Sequence, residues 1–129
     1  MSTPAPEPVP IGNSILDDVK KVLGIGYDYD AFDIDIIMHI NSAFATLHQL
    51  GVGPEGGFSI ADRNAVWVDF IGDLTIANSV KTYIYVRVRL IFDPPATSFA
   101  IASFENVAKE IEWRLTAVME GVNPPWPIV

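Results

Sequence analysis

Two stretches of this 129-residue chain place apolar residues at alternating three- and four-residue steps and then stop at a glycine. Residues 33–50 carry Ile36, Ile37, Ile40, Ala43, Phe44, Leu47 and Leu50 in this way, and Gly51 follows. Residues 98–120 carry Phe104, Val107, Ala108, Ile111, Leu115 and Val118, and Gly121 follows. A repeat near 3.6 residues lines one helix face, and that face must be buried against another element. Asp30, Asp33 and Asp35 gather at the start of the first stretch, where the helix macrodipole favours negative charge. Glu105 with Lys109, and Glu110 with Arg114, stand at i,i+4 in the favourable order along the second.

Shorter elements fill the rest. Residues 14–23 read as a helix with Ser14 as its cap, Asp17 three positions on, and an apolar face of Ile15, Leu16, Val19 and Leu23. Residues 51–60, rich in glycine, read as a loop or short hairpin that Phe58 and Ile60 can tack down. A helical turn is expected around Trp67 and Phe70. Residues 79–92 fit two templates. Ile84, Val86, Val88, Leu90 and Phe92 alternate with Tyr83, Tyr85, Arg87 and Arg89, and this period of two with β-branching leans toward a strand. Val80, Ile84, Val88 and Ile91 also form a helical stripe that Asn78 or Ser79 can cap. Asp93-Pro94-Pro95 ends either element. The expected organisation is a proline-rich arm over residues 1–12, one domain over 13–121 and an extended tail over 122–129.

Composition narrows the function. Half the residues are hydrophobic and the net charge is -8, a mix expected of a soluble chain that keeps apolar surface for partners. Residues 1–80 hold eleven acids against three bases, whereas residues 81–129 hold five of each. An acidic front half grips nucleic acid poorly, because phosphate affinity comes from clustered Lys and Arg. The absence of cysteine removes disulfides, thiolate metal sites and cysteine nucleophiles. The start of the chain lacks the basic and apolar regions of a signal peptide, and no stretch reaches the length of a bilayer span.

The motifs of catalysis are missing their context. Gly51-Val-Gly-Pro-Glu-Gly56 matches G-x-G-x-x-G, but it follows a predicted helix and Pro54 removes a backbone donor. Asp28, Asp30, Asp33 and Asp35 resemble a calcium loop only superficially, since Phe32, Asp33 and His39 occupy its remaining key positions. His39 and His48 lie about 180° apart on one helix and cannot share a metal. Tyr83, Tyr85, Arg87 and Arg89 would share a strand face, yet two arginines do not make a single-strand-binding groove. No cofactor, metal or catalytic residue is expected.

In order, Ser14-Ile-Leu-Asp-Asp-Val-Lys-Lys-Val-Leu-Gly24, Phe32-Asp-Ile-Asp-Ile-Ile-Met-His-Ile-Asn41, Leu50-Gly-Val-Gly-Pro54 and Gly57-Phe58 are followed by three further segments. These are Trp67-Val-Asp-Phe70, residues 80–95 and Glu112-Trp-Arg-Leu115. The series resembles the head–tail connector (adaptor) family of long-tailed double-stranded DNA phages over roughly residues 14–120. The resemblance implies an all-α fold, a small bundle of about four helices with a protruding loop or short hairpin and extended terminal arms, and it turns residues 79–92 to helix. It implies a homo-oligomeric ring, usually a dodecamer, in the neck of the virion after assembly in the host cytoplasm. The implied partners are the portal protein and a head-closure or tail-completion protein, with double-stranded DNA passing through the lumen. Trp113, Trp126, Ile128, Phe58, Tyr83, Arg87 and Arg89 are the expected subunit or portal contacts, and Asp28, Asp30, Asp33 and Asp35 the expected channel-facing acids. The competing readings are another head-closure or tail-completion ring protein, a small helical protein-binding regulator and an enzyme.

Overall fold

The computed structural model describes residues 14–72 and 74–122. The arm over 1–12 and the tail residues Trp126 and Ile128 lie outside them. Four helices of two turns or more and one single turn follow in order: α1 (Ile15–Val22), α2 (Asp33–Gln49), α3 (Trp67–Phe70), α4 (Leu74–Phe92) and α5 (Ser98–Val122). No strand forms among the described residues; backbone pairing across the chain is limited to an antiparallel bridge between Ser14 and Val66. The class is the expected all-α bundle.

α4 is the central helix, with α2 on one side and α5 on the other, while α1 packs against α2 and α4. Phe32 touches Phe92 at the end of α4, with ring centroids 5.4 Å apart. Phe44 late in α2 touches Phe70 just ahead of α4 at 4.5 Å. α2 and α4 therefore run antiparallel. Ile36, Ile40, Phe44 and Leu47 from α2 meet Val80, Tyr83, Ile84 and Val88 from α4 in the core, with Ile15, Leu16 and Val19 from α1 and Ala108, Ile111 and Leu115 from α5.

The strand reading of residues 79–92 is corrected to helix. Val80, Tyr83, Ile84 and Val88 are buried at helical spacing, and Tyr85, Val86 and Arg87 are half-buried beside them. A helix with neighbours on two sides needs apolar residues around much of its circumference, so its sequence alternates without being a strand. Packing then overrides the modest helix penalty of its β-branched residues.

Local chemistry sets the helix ends. The Ser14 hydroxyl accepts the Asp17 N–H at 3.2 Å and donates to the Arg63 carbonyl at 2.7 Å, so the α1 cap also holds the far loop. α2 closes with paired bonds from Gly51 N to His48 O and from Val52 N to Leu47 O, at 3.0 and 2.9 Å. Gly51 has the positive φ that this ending requires. Gly53 is needed for a second reason: a Cβ there would collide with the Phe70 ring. Thr97 accepts the Ala100 N–H at 3.1 Å and starts α5 directly after Pro94-Pro95.

The chain between α2 and α4 lies on the bundle without forming a hairpin. Asn41 acts as a surrogate strand, donating to the Ile60 carbonyl at 2.9 Å and accepting its N–H at 2.7 Å. Arg63 pairs with Asp17 at 2.8 Å, and the Trp67 indole donates to Asp18 at 2.7 Å. This stretch is irregular, but Val52, Ile60, Trp67 and Phe70 within it are buried, and Asn41, Asp17 and Asp18 hold it to α1 and α2.

Candidate assembly surface

The loop 24–32 between α1 and α2 hangs on one buried cation. Lys20 is 1% exposed; its ammonium donates to the Tyr27 carbonyl at 3.0 Å and pairs with Asp33 at 2.9 Å. A buried charge persists only when paired and hydrogen-bonded, so α1, the loop and the first turn of α2 are tied together. The four acids expected to face a channel consequently separate. Asp33 turns inward to Lys20, whereas Asp28, Asp30 and Asp35 stay exposed. Exposed aromatic and aliphatic residues interleave with them: Tyr27, Tyr29, Phe32, Ile34 and Met38. Ile34 is 81% exposed and Met38 61%.

Of the expected contact residues on α4, Tyr83 is placed in the interior, a correction to its expected surface role. Its hydroxyl donates to the Glu112 carboxylate at 2.6 Å, joining α4 to α5. Burial, and then this bond to a carboxylate, pushes its pKa well above the usual tyrosine value. A strand would have set Tyr83, Tyr85, Arg87 and Arg89 on one face; the helix distributes them. Arg87 lies over the Tyr83 ring and reaches Glu112 at 3.8 Å. Arg89 donates to the Asp93 carbonyl at 2.6 Å and lies over Phe104. Both arginines have partners within the chain.

Phe58 is half-buried, edge-on to Phe44 at 5.0 Å and to Phe70 at 5.3 Å. Its ring therefore seals the loop against the core. Trp113 is 71% exposed, on the side of α5 away from Ala108, Ile111 and Leu115. Phe99, 83% exposed, begins the same helix. Ile34, Met38 and Phe99 were not singled out from sequence. Their signal was present, because Ile34 and Met38 are one turn apart and off the buried stripe of α2.

A shallow open groove between α4 and α5 is lined by Arg87, Leu90, Ile91, Glu105, Ala108, Lys109 and Glu112. Its two cations face two acids over an apolar floor, an arrangement that balances charge instead of presenting a reactive group. Among the described residues no group of three or more His, Asp or Glu side chains is placed to hold a metal ion, and no helix is long and apolar enough to cross a membrane.

The exposed apolar side chains thus lie chiefly at the start of α2 and along α5. Neither a curated protein nor a solved structure matches the chain. A family model described as phage connector protein matches residues 15–122, from the first residue of α1 to the last of α5, and the chain therefore belongs to the phage connector protein family.

Proposed function

We propose that the chain is a ring-forming head–tail connector subunit that docks on the portal and extends the DNA channel toward the tail. Membership of the connector family supports a structural role in the virion. The observation that carries the finer reading is the outer face of α5. Trp113 and Phe99 stand exposed there with Ala102 and Ala117 on the same side, and α5 has α4 as its main neighbour. A helix with one covered face and exposed apolar residues on the other, set around Asn106 and Glu110, suits contact with another copy. In a ring that contact is heterologous, so a different patch of the next subunit receives it. Trp113 is the anchor of this contact, since buried tryptophans carry a large share of interface energy.

The work is mechanical. The net charge of -8 suits a passage that DNA traverses without being held. Electron microscopy of the full chain mixed with its cognate portal tests the reading. Annular assemblies coaxial with the portal are expected, and Trp113→Ser lowers their yield. A chain that stays monomeric and unbound at high concentration overturns it. Location of the ring away from the portal would make it a head-closure or tail-completion component instead.

A further inference from the structure

The end of the bundle where α2 begins and α4 finishes combines features that the rest of the described surface does not. Tyr29, Phe32, Ile34 and Met38 are exposed there, with Ile91 in the last turn of α4. Asp28, Asp30 and Asp35 stand among them, exposed and in no ion pair among the described residues. Ile34 and Met38 share one side of α2, opposite the buried Ile36, Ile40 and Leu47. Toward α4 at the same end, the aromatic contacts Tyr29–Phe32 at 5.7 Å and Phe32–Phe92 at 5.4 Å form a second apolar group. The loop beneath is anchored by Lys20, so the face is presented on a fixed base and little ordering is left for binding to impose.

We infer that this end is a docking face for a different protein, one that presents an apolar groove rimmed by Lys or Arg. A second copy of this chain does not meet that description. Five of its eight cations are held in intramolecular ion pairs: Lys20 with Asp33, Arg63 with Asp17, Arg87 with Glu112, Arg89 with Asp93 and Arg114 with Glu110. Lys81 lies over the Trp67 ring at 5.4 Å, and Lys109 lines the α4–α5 groove with Glu105 and Glu112. Lys21 alone cannot rim a groove. DNA fails by the sign of its charge. A basic rim would steer encounter and set orientation against the three aspartates, while the strip supplies the buried area. The inference rests on the proposed function only in taking the partner to be another protein of the neck. It moves Asp28, Asp30 and Asp35 from the channel wall to a protein contact.

The full chain is titrated by biolayer interferometry, at low and high salt, against purified portal protein and separately against the head-closure protein of the same phage. Wild type binds one of the two, more weakly at high salt. The variant D28N/D30N/D35N loses about tenfold or more in affinity and most of the salt dependence. The variant I34S/M38S loses about 30-fold or more, chiefly through faster dissociation. V68S, exposed on α3, stays within about twofold. All six substituted positions are exposed, and circular dichroism checks that the variants remain folded. Acidic and apolar variants that bind like wild type remove the inference and leave the connector reading standing, as does a loss confined to self-association. Wild type that binds neither protein sinks the connector reading and the inference with it.

Discussion

Residues 51–72 and residues 24–38 both mix irregular chain with glycine, aromatic side chains and acids, and they fold to opposite ends. In 51–72 nearly every strong group is used internally: Asn41 holds Ile60, Asp17 holds Arg63, Asp18 holds the Trp67 indole, and Phe58 and Phe70 pack on Phe44. In 24–38 Lys20 ties down the backbone near Tyr27 and the Asp33 carboxylate and Ile36 enters the core, while Asp28, Asp30, Asp35, Tyr29, Ile34 and Met38 face outward. Composition does not distinguish such regions. What does is whether side chains find partners within the chain, which marks the first stretch as structural and leaves the second open to the docking proposed above.

Substitutions should separate the two regions by size of effect. Phe44→Ala removes the ring on which Phe58 and Phe70 converge and should cost about 3–5 kcal/mol in chemical denaturation, enough to unfold much of the population of a small domain. A cost below about 1 kcal/mol would mean the 51–72 stretch is not packed as described. Asn41→Leu deletes both bonds to Ile60 and strands a backbone N–H and carbonyl, for about 2 kcal/mol; faster amide exchange should be confined to the loop. Alkali probes the same side. Burial, and then the charge of Asp18, raises the Tyr85 pKa to about 12, and Tyr85 packs edge-on against Trp67 at 6.2 Å. Because the folded pKa lies above the unfolded value, the contribution is complete below about pH 10 and is lost as pH climbs toward about 12. Melting temperature should therefore hold level to about pH 10 and fall beyond it, less steeply in Tyr85→Phe. Smallest is the effect at the other end: Ile34→Ser with Met38→Ser should change stability by less than about 0.5 kcal/mol. A larger loss would show that this face helps to hold the bundle together.

Much of the architecture was legible before any coordinates. α2 and α5 announce themselves because each buries one face, so apolar spacing and burial coincide; the caps at Ser14 and the stop at Gly51 are equally local. The family resemblance carried the fold class and corrected the strand leaning of residues 79–92. The assembly surface was less legible. Trp113 stands out as an off-stripe tryptophan and is exposed, but Tyr83, Phe58 and Asp33 looked equally available and are drawn inward by Glu112, by Phe44 with Phe70, and by Lys20.

By itself the sequence determined where helices start and stop and which face of α2 and of α5 turns inward, since those depend on contacts within a few residues. Only the tertiary structure decided that α4 is central, that Lys20 is buried and that three of four aspartates pair with no cation among the described residues. Each of those outcomes depends on groups distant along the chain meeting in space, where a partner turns a costly buried charge or hydroxyl into a stable one.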